Sequence, residues 1–521
     1  LFLLSCLFKE CIKRQPSIKR LKNLAQVLIY HLRIKIVNQD YFMLQRLLSK
    51  ISISAITLSM ASMSFSGLSY ADSLADIYEL ALINDPTLQA AEASYKAGRE
   101  IKSQAIAQLL PHLSGSATYS ESDRTNSNKQ YFSAGLSPET NLDSDSETTA
   151  YSIALTQNLF NLSAFFAFKQ STALSQQAEL QFSIDQQSLI LRSANTYFNV
   201  LRSKDNLTSA LSEEKAIKQQ LEQTQQRYDV GLIAITDVHE ARAAFDLAVA
   251  NRLTEKVSLG IAYEDLAALT GQQHSHLYNL SDDFKTTKPE PSSAEAWVGF
   301  ASENNLSVKL AEQVAEASNQ QANVRKSDHA PTIKAVLRYD DSSTDTALSD
   351  NNSNDTLPDT FSNFQGSTIE VRLDVPIWEG GFKHSKRRQA GYEQVRDQAN
   401  LVAAKRTAFR EARSNYLTTV ADTARVNARQ LAIVSARSAL DATQAGYDAG
   451  TRNIVDLLNA QRDLFRAERD HANTRYNYVI NSLKLKQAAG TLSPQDIYDL
   501  NEWLVAPKAV LKSETVNSFN S

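Results

Sequence analysis

The sequence predicts an α+β membrane protein built by internal duplication, each copy supplying a pair of membrane strands and a long helical hairpin. Three observations predict it. Two halves of the chain align at a nearly constant offset, and each half holds two segments of strict apolar–polar alternation. The 11 prolines leave residues 139–288 and 377–493 without any, which is room for uninterrupted helices.

The duplication is read from matched segments. YDVGLIAITDV from Tyr228 matches YDAGTRNIVDL from Tyr447 at an offset of 219, and Gly271 falls on Gly490 at the same offset. Asn84, Pro111 and Tyr119 fall on Asn304, Pro331 and Tyr339 at 220, and LTQNLF at 155–160 falls on LDVPIW at 373–378 at 218. Two repeats follow, 72–285 and 286–505, each with a helix, a strand pair and a long helical hairpin.

Ahead of them, Met43 opens a basic, apolar, small-residue pattern ending in Ser69-Tyr70-Ala71. This reads as a signal peptide over 43–71, cleaved after Ala71. Residues 1–42 are basic, begin with Leu1, and are expected to precede the true start. Cys6 and Cys11 both fall in that stretch, so the mature chain is expected to lack a disulfide, a thiolate nucleophile and a lipid-accepting Cys. Residues 506–521 are expected to form a disordered tail.

The strand pairs come next. Leu113, Gly115, Ala117 and Tyr119 alternate with Ser114, Ser116, Thr118 and Ser120, and Tyr151, Ile153 and Leu155 with Ser152, Ala154 and Thr156. In the second copy Ile333, Ala335, Leu337 and Tyr339 alternate with Lys334, Val336, Arg338 and Asp340, and Ile369, Val371, Leu373 and Val375 with Glu370, Arg372 and Asp374. One lipid face and one aqueous face is the pattern of a barrel strand. Tyr119, Tyr151 and Tyr339 toward one end, with Phe160 and Trp378 toward the other, suggest two aromatic girdles. Polar loops are expected between the paired strands, at 121–148 and 341–366. Four strands cannot close a barrel, and an open edge in lipid leaves backbone groups unsatisfied, so the chain is expected to oligomerise; three copies give twelve strands.

From about Asn161 to Tyr228, and from about Gly380 to Tyr447, polar helical runs extend for about 100 Å at 1.5 Å per residue. They are too polar to span a membrane and belong in water. Near their ends Ile217, Leu221, Thr224 and Tyr228, and Ala436, Leu440, Thr443 and Tyr447, carry coiled-coil spacing. Gly231 and Gly450 suit a left-handed helix end, and returning helices are expected over about 235–270 and 454–489. Shorter helices are expected at about 86–109 and 305–328.

A net charge of −4 and the lack of a basic stripe exclude nucleic acid as a partner. No GxSxG, HExxH or P-loop occurs, so no catalytic residue, cofactor or metal site is assigned. His274 and His276 are the close histidine pair, read as a solvated turn. A periplasmic coiled-coil adaptor or structural protein, its strands forming a soluble sandwich, remains the alternative.

RSANTYFNVL at 192–201, RYDVGLIAITDV at 227–238, GYDAGTRNIVDLLNAQ at 446–461 and RYNYVINSLKLKQAAGTLSPQDI at 475–497 resemble the TolC family of outer-membrane efflux proteins, over essentially all of 72–505. The resemblance implies a homotrimer in which a twelve-stranded β-barrel held in outer-membrane lipid continues into a long α-helical, coiled-coil periplasmic barrel. Residues 272–304 and 491–505 would form an equatorial belt. It also implies a channel for efflux of drugs and bile salts and for type I protein secretion. A periplasmic adaptor (membrane fusion) protein and an inner-membrane pump would dock at the tips, around Gly231, Leu232, Gly450 and Thr451. By the same resemblance Thr236 and Asp237 would bond Tyr447 and Arg452 as a gate latch, although Asp237 also suits a helix N-terminus. Asp456 and Asn459 would face the constriction; the family pattern has an acid at both, so Asn459 halves the expected ring charge. Three Asp456 carboxylates around one axis would still attract cations.

Overall fold

A computed structural model describes residues 72–506, apart from 129–130, 133–134, 137–139 and 351–354. The segment 1–42, the expected signal peptide over 43–71 and the expected tail beyond residue 506 lie outside the described residues. Each copy opens with two helices: α1 (Leu74–Asn84) and α2 (Pro86–Ala107) in the first, α5 (Ala294–Asn304) and α6 (Leu306–Ser327) in the second. The break between them is a cap. Asp85 accepts from Leu88 N at 3.0 Å, and Asn305 from Val308 N at 3.1 Å, so each side chain satisfies an orphan donor of the helix it starts. In the first copy the cap is charged, and the Arg192 guanidinium reaches Asp85 at 2.5 Å. Burial pushes the Asp85 carboxyl up, but Arg192 and the Leu88 and Thr87 amides more than offset it and hold it below the usual range.

Strands β1 (His112–Asn128) and β4 (Thr140–Phe160) come from the first copy, β6 (Thr332–Asp350) and β7 (Asp355–Asp374) from the second. They form one antiparallel sheet in the order β1-β4-β6-β7, so β1 and β7 are its edges. Small strands β2 (Tyr131–Phe132) and β3 (Gly135–Leu136) pair between β1 and β4. The polar loops expected at 121–148 and 341–366 are thus mostly strand. The apolar alternation stops at Tyr119 and Tyr339, but the ladder continues, because backbone pairing in water needs no apolar face. Hydroxyls join it: Ser146 and Thr346 oxygens lie 3.2 Å apart, those of Thr148 and Thr344 3.1 Å.

The pleat sorts the sheet into two faces. Leu113, Leu155, Leu337 and Ile369 are in mutual register and exposed on one face. The other carries hydroxyls and ion pairs, among them Arg338–Asp340 at 2.7 Å and Arg372–Glu370 at 2.7 Å. Beyond the tyrosines the apolar face turns acidic, with Glu121, Glu147 and Asp345 aligned across three strands. That change marks where the apolar band ends.

Below the sheet run α3 (Leu162–Asp229, 68 residues) and α7 (Phe382–Asp448, 67 residues), each about 100 Å long, followed by returning helices α4 (Ile235–Thr270) and α8 (Ile454–Ala489). The two copies pass from strand to helix differently. Asn161 caps α3 directly, accepting from Ala164 N at 2.9 Å, whereas α7 is entered through Gly380 and Gly381, with φ of +59° and +81°. Among the described residues no helix is long and apolar enough to cross a membrane.

The main core lies midway along the helices. Tyr197 and Phe198 of α3, Leu266 of α4 and Val479 and Leu483 of α8 pack against Leu74, Ile77 and Tyr78 of α1 and against Leu277 and Leu280. Short strands β5 (Asn279–Leu280) and β8 (Leu504–Val505) pair there, after helix α9 (Gln495–Asn501). Tyr197 donates to the Tyr278 carbonyl at 2.8 Å and Tyr476 to Asp205 at 2.6 Å, so buried hydroxyls are paired. The two neighbouring histidines diverge: both His274 ring nitrogens are bonded, to Asp72 and Thr270 at 2.7 Å each, while His276 is exposed.

Candidate functional site

The far ends of the hairpins hold the residues of the expected gate. Each long helix ends in the same double hydrogen bond. Gly231 N reaches Tyr228 O at 2.8 Å and Leu232 N reaches Arg227 O at 2.9 Å; Gly450 N reaches Tyr447 O at 3.1 Å and Thr451 N reaches Gly446 O at 2.8 Å. Both glycines have positive φ, +78° and +74°, which this cap requires. Val230 and Leu232 stand 71% and 73% exposed at the first tip, an apolar end on a helix pair otherwise in water.

The second tip is built around Tyr447. Its side chain is buried among Ile217 of α3, Ala248 of α4, and Ile454, Leu457 and Leu458 of α8, so it joins the two hairpins. Its counterpart Tyr228 is exposed. Arg227 lies across the junction, with its guanidinium 4.9 Å from the Tyr447 ring centre and a hydrogen bond to Asp448 at 2.9 Å. Asp448 also accepts from Gln444 at 3.1 Å, and with Arg227 this holds its carboxyl below the ordinary range. Within the chain, therefore, Arg227 and Asp448 link the hairpins, two residues that motif reading passed over. Their signal was the duplication itself: Arg227 aligns with Gly446 at the 219 offset, a break in the match at a helix end.

Gly446 explains the position of Arg452. A Cβ on Gly446 would lie 2.8 Å from Arg452 Cγ, so glycine lets this side chain fold over the helix end. Arg452 then reaches Asp456 one turn on, at 3.7 Å. A residue assigned to the latch and one assigned to the ring are thereby in contact. Asp456 N donates to the Asn453 cap at 2.7 Å, and Asn459 accepts from Arg462. Thr236 donates to Asp237 at 3.4 Å, and among the described residues neither bonds Tyr447 or Arg452 of the same chain. The buried Tyr447 hydroxyl has no hydrogen-bond partner among them. Likewise no group of three or more His, Cys, Asp or Glu among them is arranged to hold a metal.

Amphipathic strands joined to helices of this length, in two hairpins packed together near their tips, define the protomer of an outer-membrane channel with a β-barrel and a periplasmic helical portion. The sequence profile described as "Outer membrane efflux protein" matches residues 77–272 and 297–491, one match per repeat. The outer membrane protein TolC of Escherichia coli is 35% identical over 87% of this chain and 89% of its own length, and TolC of Vibrio cholerae is 35% identical over 84% and 95%. Alkaline protease secretion protein AprF of Pseudomonas aeruginosa is 26% identical over 82% and 86%. Among solved structures, CusC matches with a TM-score of 0.65 at 16% identity, over 82% of this chain and 95% of its own. VceC of Vibrio cholerae matches at 0.62 and 20%, over 80% and 96%. The chain belongs to the outer membrane efflux protein family, in its TolC branch, and is a non-enzymatic transport channel.

Proposed function

We propose that three copies of this chain form an exit duct for drugs, bile salts and type I secreted proteins, shut at its periplasmic end until a periplasmic adaptor and an inner-membrane pump engage the tips. The observation that carries the reading is the sheet with two unpaired edges, β1 and β7, continuous with helices of about 100 Å. Joining β7 of one copy to β1 of the next satisfies both edges, and three copies close twelve strands. The proposed belt, 272–304 and 491–505, contributes Leu277, Leu280, Leu492, Ile497 and Leu504 to the main core.

The latch falls between copies in this reading. A buried, unpaired hydroxyl costs about 1–3 kcal/mol, and Thr236 and Asp237 of a neighbouring copy supply partners for Tyr447 and Arg452. Asp456 and Asn459 line the constriction, and Gly231, Leu232, Gly450 and Thr451 form the docking tips. Arg452→Ser tests the gate, because it removes the proposed latch and also uncovers Asp456. In a channel-deletion strain wild type restores drug tolerance, while Arg452→Ser gives a larger single-channel conductance and admits bulky antibiotics. Unchanged conductance with Arg452→Ser refutes the latch.

A further inference from the structure

The two copies differ sharply in charge where strand hands over to helix. In the first copy the junction FNLSAFFAFKQ, 160–170, holds Lys169 as its one cation. In the second, WEGGFKHSKRRQ, 378–389, places Lys383, Lys386, Arg387 and Arg388 within the first two turns of α7. Among the described residues only Lys383 is paired with a carboxylate, Glu379 at 2.7 Å, while Lys386 lies 5.8 Å from the Phe382 ring centre. Lys386 reaches the Gln389 amide oxygen at 3.3 Å and Arg387 the His384 ring at 3.5 Å, and among the described residues neither these nor Arg388 has a carboxylate within 4.0 Å. A helix N-terminus carries a partial positive charge, so four cations there oppose local helix stability. Folding gives no account of them.

Their surroundings do. Past the lipid-facing Val371 and Leu373 of β7, the chain leaves the strand and presents Ile377 and Trp378, 93% and 84% exposed. A tryptophan at this end of the apolar band marks the headgroup level. Gly380 and Gly381 then turn the chain, so the cations follow the tryptophan on the periplasmic side. We propose that this cluster binds the phosphate headgroups of anionic phospholipids in the periplasmic leaflet and so ties the rim of the barrel to the bilayer. Each Lys or Arg near an anionic surface is worth roughly a fivefold gain in binding, which screens with salt. Lipid anchoring of this kind is separate from gating and rests only on the outer-membrane location.

The purified full chain is equilibrated in detergent with phosphatidylglycerol, phosphatidylcholine or inorganic phosphate, and retained lipid is counted by native mass spectrometry. Wild type is expected to prefer phosphatidylglycerol by about tenfold or more. High salt should abolish the preference, and inorganic phosphate at equal concentration should leave it. The variant K383Q/K386Q/R387Q/R388Q should lose it, while R387K/R388K and the first-copy control K169Q keep it. Equal retention of both lipids by wild type, persistence in high salt, or loss of the preference in K169Q overturns the proposal. Displacement by inorganic phosphate overturns it too, by assigning the cluster to a free anion. The salt and phosphate arms use wild type alone and hold even if the quadruple variant does not fold. Cell fractionation, scored separately, tests the outer-membrane location.

Discussion

At the residue scale, Arg227 is the group that links the two hairpins at the tips. It stacks on the ring of Tyr447 and pairs with Asp448 while itself part-exposed. Such a solvent-screened pair contributes little, and the cation–π contact adds about 0.5–1 kcal/mol. Arg227→Ser is expected to raise single-channel conductance less than Arg452→Ser, without lowering the amount of folded protein. Asp205 is different, because burial dominates: it pushes the carboxyl up, and the Tyr476 hydroxyl, Lys204 and Arg475 only partly offset this. A carboxyl raised in the folded state binds its proton more tightly there than in the unfolded chain. Stability is therefore fullest below the unfolded pKa and falls as pH rises through the folded one. Asp205→Asn keeps an acceptor for Tyr476 without the charge. Melting temperature near pH 7 is expected to hold or rise in this variant, and its decline from acid to neutral pH to flatten; a steeper decline refutes the assignment.

Four glycines that look alike in sequence separate at the scale of elements. Gly231 and Gly450 end the long helices, and Gly271 and Gly490 the returning ones, all with φ between +74° and +78°. A Cβ on Gly231 meets nothing within 4 Å, but on Gly490 it would lie 2.3 Å from the backbone of Asn304, at the kink between α5 and α6. Gly231→Ala should cost only the left-handed backbone term, about 1–2 kcal/mol. Gly490→Ala adds a clash that moves a helix junction, about 1–3 kcal/mol more. Thermal unfolding of the two variants side by side checks this, and equal losses contradict it. The helices themselves were legible in sequence because proline is absent from them and each ends in glycine. Helix α1 was not, since its 11 residues are too few for a clear period and its packing against α3 is long-range. Both hairpins also read alike in sequence, yet Tyr447 is buried while Tyr228 is exposed, because the partner across the junction differs.

For the whole molecule, the sheet must expose one face to lipid and the other to water. Leu155→Arg places a charge on the apolar face midway along the apolar band between Tyr151 and Phe160, where it costs about 2–4 kcal/mol per protomer. Ser116→Arg places the same charge on the hydroxyl face, where water reaches it. Outer-membrane yield and resistance of the assembled form to heat should fall for Leu155→Arg and hold for Ser116→Arg. The opposite order would assign the faces the other way round.

Sequence by itself determined the duplication, the two strand faces and the lengths of the helical hairpins, because alternation, proline spacing and terminal glycines act through near neighbours. Only the tertiary structure decided how far the strands run past Tyr119 and Tyr339, since a ladder in water is held by cross-strand partners rather than by an apolar pattern. It also decided what meets at the tips. Arg227 and Asp448 are 221 residues apart, and Gly446 shows its use only beside the folded-back Arg452. Such contacts depend on which face of one helix meets which face of another, and that is fixed by packing over the full length of both.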